Sequence, residues 1–261
     1  VERLDSVVAR LIRDKRAQFE AGEELDDMLA ALIESRDPET GKGLSINELR
    51  DEVMTLVLAG HETTANALAW TWLELSRNRD VHDWVCEEWD ALPNGHVLGM
   101  ADIPTMPRTR AVIAESMRLN PPAWIISRRL SQDTTLAGYQ IPRGSTLFAS
   151  QYFMHRDPRF WADAESFLPT RWMTTDGNFD EKAPGQPKAS WFPFGFASRK
   201  CIGDRFAVAE AMLALATLGR NWEVVAASPE DVVPVPAITM RPGNGIPARI
   251  RPRVGVRLFE S

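Results

Sequence analysis

The stretch Phe192-Pro193-Phe194-Gly195-Phe196-Ala197-Ser198-Arg199-Lys200-Cys201-Ile202-Gly203 decides how the chain is read. Its aromatic rings and glycine make a rigid loop that delivers one cysteine to the start of a helix. That helix, Gly203 to Arg220, is alanine-rich, with Phe206, Val208, Met212, Leu213 and Leu215 expected to be buried. A cysteine in this place meets unpaired backbone N–H groups and the positive end of the helix dipole. Both favour the thiolate, the form that ligates metal. Arg199 adds positive charge suited to an anionic ligand. The other cysteine, Cys86, lies in an ordinary amphipathic helix without a glycine loop and reads as a buried structural residue.

Upstream, residues 151–193 read as mostly irregular chain rich in Pro, Gly, Asp and Trp, and loops of that length are usually functional. Before them come short strand candidates at 124–127, 134–136, 139–141 and 146–149, with turns at Gly138 and Pro142-Arg143-Gly144. The first half reads as helical. Residues 1–19 place Leu4, Val7, Val8, Leu11 and Ile12 on one face. A second helix is expected at 25–35. The capping box Ser45-Ile46-Asn47-Glu48 opens a long one that runs to about Arg77. Its stretch Val53 to Ala59 is apolar on every face except Thr55, which predicts burial all round. Further helices are expected at 80–92 and 106–119. Downstream of the cysteine helix, 222–259 reads as short strands with repeated prolines.

Composition bounds the class. The chain has 261 residues, 44% hydrophobic and 25% charged, which excludes a disordered chain, a collagen or a disulfide-dense module. A net charge of -6 gives no general pull toward nucleic acid or anionic lipid. Two cysteines build no disulfide framework and point to a reducing compartment. No signal peptide is visible, and no window reaches the roughly 18 apolar residues of a membrane span. A soluble, cytoplasmic protein of bacterial type is expected. Val1 is not a start methionine and stands in what reads as a helix already under way, so an anchor in an upstream segment stays open.

Three further motifs carry chemistry. Ala59-Gly60-His61-Glu62-Thr63-Thr64 sits in mid-helix. A glycine there costs roughly 1 kcal/mol relative to alanine, and a carboxylate beside a hydroxyl adds a desolvation cost. A polar ligand, water or a catalytic need would offset this; a kink with threonine back-bonding is the bland reading. His61-Glu62 opens the zinc-protease box, but the fourth residue after His61 is Ala65, so that reading fails. Glu115-Ser116-Met117-Arg118 puts an acid and a base on one helix face. Phe167-Leu168-Pro169-Thr170-Arg171-Trp172 offers an arginine, between aromatics and after a proline, that could reach back to a buried carboxylate.

With these four segments in this order, the chain resembles the C-terminal portion of a cytochrome P-450, a haem-thiolate monooxygenase, over nearly its whole length. The resemblance implies a fold that is mainly α with small β-sheets, as part of one domain. Its parts would be a helical 1–122 with an oxygen-binding helix at 45–77, a small sheet and meander at 123–190, the haem-thiolate loop and helix at 191–221, and C-terminal strands at 222–261. It implies haem b with Cys201 as axial thiolate, and Phe194 beside that sulfur. Thr63 and Glu62 would be the acid–alcohol pair that relays protons, and Gly60 would leave room for dioxygen. Arg128 and Arg199 would pair with the haem propionates; Arg128 is preferred to Arg129 because it lies five residues before Asp133, as is usual in the family. Ala59, Ala123, Trp124 and Ile126 would face an apolar substrate. Glu115, Arg118 and Arg171 would form a buried structural triad. The implied reaction is hydroxylation or epoxidation with dioxygen. Electrons would come from a separate donor protein, either a ferredoxin with its reductase or a flavoprotein reductase.

Two departures stand out. The family has glycine four residues before the cysteine, and here it is Ala197, so some altered local geometry is expected if that position needs positive φ. Family members also carry a substantial N-terminal portion that has no counterpart in these residues. The alternatives are a peroxide-using enzyme of the same fold, against which Glu62-Thr63 argues, and a non-catalytic fragment.

Overall fold

The computed structural model describes residues 2–93 and 95–253. Val1, where the first predicted helix begins, and 254–261, the end of the predicted C-terminal strands, lie outside the described residues. The chain divides into two compact units, 1–62 and 63–261.

The first unit holds α1 (Glu2–Glu20), α2 (Met28–Glu34) and the opening of α3 (Ile46–Arg77). Val8 and Ile12 of α1 pack with Leu49 and Val53 of α3, and Leu29, Leu32 and Ile33 of α2 close over them. The capping box forms as read: the Ser45 N–H donates to Glu48 Oε2 at 2.8 Å, and the Glu48 N–H to Ser45 Oγ at 3.3 Å. Helix α2 begins at Met28, not at residue 25, because Asp27 accepts the Ala30 N–H at 2.9 Å and so fixes the N-terminus. The expected all-round burial of Val53 to Ala59 is corrected. Val53 is buried, whereas Val57 and Leu58 are 40% and 59% exposed. Within this unit α1 and α2 pack on the Leu49–Val53 end of α3 only.

The second unit holds the rest of α3, then α4 (Arg79–Asp90), α5 (Pro107–Leu119), α6 (Gln151–Met154) and α7 (Asp204–Gly219). Its strands form four two-stranded antiparallel sheets. β1 (Ile126–Arg129) pairs with β4 (Thr146–Ala149), β2 (Thr134–Leu136) with β3 (Tyr139–Ile141), β5 (Trp222–Ala226) with β8 (Ala248–Pro252), and β6 (Pro234–Pro236) with β7 (Met240–Pro242). The mainly α class with small sheets is therefore observed. β1 starts later than the expected Trp124, whose polar groups are spent elsewhere. Its carbonyl accepts the Ser150 hydroxyl at 2.9 Å and the Tyr152 N–H at 3.2 Å. The β2–β3 hairpin turns on Ala137 and Gly138, both at positive φ, the conformation a two-residue primed turn requires.

Helix α5 is the centre of this unit and is buried from Ala111 to Leu119. Val208, Met212 and Leu215 of α7 pack into the same core. Phe206, expected inside, is 66% exposed. At about 100° per residue it lies about 200° from Val208, off the inner face. The expected irregular stretch contains α6 and single helical turns at Pro169–Trp172 and Lys188–Ser190. Aromatic packing fixes it: the Trp172 ring lies 4.7 Å from Trp191 and 5.6 Å from Trp161.

Helices α4 and α7 meet at unusually close range. A Cβ on Gly219 would fall 2.3 Å from Cζ3 of Trp89. The indole cannot retreat freely, because its N–H donates to Thr109 Oγ1 at 2.9 Å. That hydroxyl donates to Glu88 at 2.6 Å, and the Glu88 carboxylate also accepts the Arg108 and Thr109 N–H groups that open α5. Gly219→Ala is expected to cost about 2–3 kcal/mol through overpacking, lowering Tm by roughly 5–10 °C. Thermal unfolding checks this, and an unchanged Tm would contradict the close contact.

Candidate functional site

The acid and base of α5 form a dry ion pair. Arg118 Nε and Nη2 donate to the two oxygens of Glu115 at 3.0 and 2.9 Å, and both residues are fully buried. Glu115 Oε1 also accepts Arg171 Nε at 3.0 Å and the Leu168 N–H at 2.9 Å. Glu115 Oε2 accepts the Trp172 indole N–H at 2.8 Å. Arg118 spends its remaining N–H groups on the carbonyls of His155, Ala164 and Ser166 at 2.6–2.9 Å. A buried ion pair survives only when its remaining polar groups are satisfied, and here they are. The expected triad is present. The contributions of Leu168 and Trp172 were not legible from spacing.

The cysteine loop folds back on itself beside this network. The Gly195 N–H donates to the Phe192 carbonyl at 3.0 Å, and the Cys201 N–H donates to the Phe194 carbonyl at 2.8 Å. Gly195 has φ 76°. Ala197 has φ 53°, so the loop keeps the left-handed conformation that suits glycine instead of shifting away from it. The expected altered geometry is therefore not seen: alanine is held in the conformation that suits glycine. Left-handed alanine costs about 1–2 kcal/mol, and glycine in its place would lose roughly 0.5–1 kcal/mol of chain entropy. Ala197→Gly is therefore expected to stabilise the protein by about 0.5–1 kcal/mol. Denaturant unfolding measures this, and a destabilised variant would overturn the account.

Cys201 is exposed, two residues before the Gly203 N-cap of α7. A side chain at 203 would meet its Sγ at 3.9 Å. Arg199 is exposed in the turn before it. Cys86 has the opposite setting. It is buried, 3.7 Å from the His82 ring, and burial pushes its thiol up to about 11.

Thr63 and Ala67 of α3, Ile113 of α5, Ala123, Phe194 and Ala207 of α7 line one small pocket of about 60 Å³, open to solvent. Three of the sequence-derived site residues, Thr63, Ala123 and Phe194, are thus brought together. Thr64, which sequence reading did not single out, lines the same pocket. Glu62 and Ala59 belong to the same helix, at the end of the first unit. Arg128 and Ile126 share one face of β1 by alternation, with Arg128 opposite Leu147; its guanidinium donates to the Ser127 carbonyl at 2.8 Å. Trp124 is held by the β6–β7 hairpin, its indole donating to the Ala237 carbonyl at 2.9 Å.

The family profile of cytochrome P-450 matches residues 1–246. The chain belongs to the cytochrome P-450 family. It is 38% identical over 240 residues to cyclooctatin synthase of Streptomyces melanosporofaciens, covering 92% of this chain and 49% of that one. It is 36% identical to cyclooctat-9-en-7-ol 5-monooxygenase of the same organism, over 85% of this chain and 46% of the other. Pentalenene oxygenase of Streptomyces avermitilis is also 36% identical, over 89% and 49% respectively. The chain spans about half the length of these curated relatives.

The residues present fit the P-450 cofactor. Cys201 is a soft sulfur donor, exposed on a loop whose backbone is fixed through Phe194, and Phe194 also lines the apolar pocket. Arg128 and Arg199 are exposed cations suited to two carboxylates. No helix among the described residues is long and apolar enough to cross a membrane.

Proposed function

We propose that the protein carrying this P-450 chain is a haem-thiolate monooxygenase that inserts one oxygen atom of dioxygen into an apolar organic substrate. The observation that carries this reading is that Thr63, Ala123 and Phe194 line one pocket while the Phe194 carbonyl holds the Cys201 N–H. Cys201 would hold the iron of haem b, with Arg128 and Arg199 at its propionates. When bound, haem with dioxygen and two electrons supplies the oxidising power for C–H hydroxylation or epoxidation, the second oxygen atom leaving as water.

The chain's own residues supply position and protons. The Thr63 hydroxyl both donates and accepts, so it can hold a proton donor at the pocket wall. Glu62, next to it on α3 and exposed, would be the acid of the acid–alcohol pair on the solvent side. Ala67, Ile113 and Phe194 keep the pocket apolar. Ala59, Ala123, Trp124 and Ile126 would meet the substrate. The names of two relatives specify pentalenene and cyclooctat-9-en-7-ol, the first by its ending a hydrocarbon and the second a single-hydroxyl compound, which supports a largely apolar substrate here. A separate ferredoxin or flavoprotein would supply the electrons, and the two free cysteines suit a cytoplasmic setting.

Thr63→Ala tests the reading. In the full-length enzyme with a ferredoxin pair, the variant is expected to bind haem and substrate but to lose at least half of the product formed per nicotinamide consumed, with peroxide rising in its place. Unchanged coupling would remove Thr63 from the chemistry. Absence of any oxygenated product from a panel of apolar alkenes and alcohols would count against monooxygenation itself.

A further inference from the structure

His155 has a setting that the haem reading does not use. It caps the C-terminus of α6 and is fully buried. Its Nε2 accepts the Phe192 N–H at 3.1 Å, across 37 positions of sequence. Its ring packs 4.8 Å from Trp191 and edge-on to Phe192 at 5.3 Å. Its own carbonyl accepts Arg118 Nη1 at 2.8 Å.

We propose that His155 is the positioning residue of the cysteine loop, its ring gripping the Phe192 peptide while its backbone ties that grip to the buried Glu115–Arg118 pair. The path to the cysteine is short and made of backbone. From the gripped Phe192, the carbonyl takes the Gly195 N–H and closes the turn, and the Phe194 carbonyl takes the Cys201 N–H. Phe192 is itself buried, and its ring stacks on Phe196 at 5.1 Å. Without the imidazole, its amide would be a buried donor with no acceptor.

The chemistry selects histidine. An acceptor is needed within a flat ring that also fills an aromatic stack; Phe and Trp supply the ring without the acceptor, Tyr carries its acceptor outside a larger ring, and Lys and Arg only donate. Acceptance at Nε2 fixes the tautomer with the proton on Nδ1, which interacts with the Met117 backbone but makes no hydrogen bond of normal geometry. The ring faces the cations Arg118 and Arg156, and burial with Arg118 lowers its pKa to about 3. It thus stays neutral, and an acceptor, throughout the working pH range.

The test uses the full-length protein, without and with haem. In the unloaded wild type, nitrogen-15 spectra of His155 should show a protonated Nδ1 and an unprotonated Nε2 at pH 7. A proton on Nε2 would overturn the proposal without any variant being made. In His155→Phe, hydrogen exchange at the Phe192 and Cys201 amides should speed up by roughly tenfold, while the β5–β8 ladder amides stay unchanged. His155→Gln, which restores an acceptor, should recover most of that protection. Equal exchange in the wild type and in His155→Phe, or acceleration spread over the whole protein, would overturn it. The haem arm rests on the reading of Cys201 as ligand. There, His155→Phe should convert part of the reduced carbon-monoxide Soret band from the thiolate to the non-thiolate position, and His155→Gln should reverse this. Exchange that responds while the band does not would leave the grip standing and overturn its influence on ligation, whereas the ligand itself is tested by loss of the band in Cys201→Ser, so the two failures are distinguishable.

Discussion

Cys201→Ser should abolish the red-shifted Soret band of the reduced carbon-monoxide complex, while Cys86→Ser should leave that band in place. The contrast follows from the two settings. The Cys201 loop is fixed by a backbone bond to Phe194, which serine at 201 keeps, so loss of the band would report ligation and not unfolding. Serine offers a hard, protonated oxygen where a soft thiolate is needed. At position 86 the sulfur is buried beside His82 with its thiol pushed up to about 11, so it stays protonated and serves packing. A hydroxyl there costs about 1–3 kcal/mol if its bonds are poorly met, so Cys86→Ser should lower stability without touching the spectrum. The reverse pattern would sink the assignment of Cys201.

Glu115→Gln should be among the most destabilising single changes in the chain. Arg118 would stay charged and fully buried, with its carboxylate replaced by a neutral amide. Breaking a buried pair from one side costs about 3–5 kcal/mol. Trp172, Leu168 and Arg171 also donate to that carboxylate, so their bonds would weaken together. Removing both charges in Glu115→Met/Arg118→Met should cost clearly less than the sum of the two single changes, since residues in one network couple. Urea unfolding of the four proteins measures the coupling. A loss under about 1 kcal/mol for Glu115→Gln, or additive costs, would show that the pair does not hold α5 as described.

Much of the site was legible because its residue types occur at short, fixed spacings. The cysteine loop, the Glu115–Arg118 pair and the Ser45–Glu48 box each declare themselves within a dozen positions. The helices of the second unit were legible from apolar periodicity, and the four short strands at 126–149 from turn residues. The start of α2 and the outward phase of Phe206 were local signals misread; the remaining failures have one cause, a deciding partner far away in sequence. Glu115 meets Trp172 across 57 positions and His155 meets Phe192 across 37, and no local pattern encodes either contact. The exposure of Val57 and Leu58 has the same origin, because apolar periodicity reports a wish for partners and not their presence. At Ala197 the sequence flagged the right position, but only the backbone shows that the loop holds alanine in the left-handed conformation.

The contact between Gly219 and Trp89 makes those two positions a single evolutionary choice. As long as the indole occupies its place, any side chain at position 219 costs stability, so changing Trp89 first eases a later change at Gly219. The reverse order passes through an intermediate that is less stable by about 2–3 kcal/mol. Because α7 begins just after Cys201, a gap fixed at its far end also limits how far the helix can slide along its own axis.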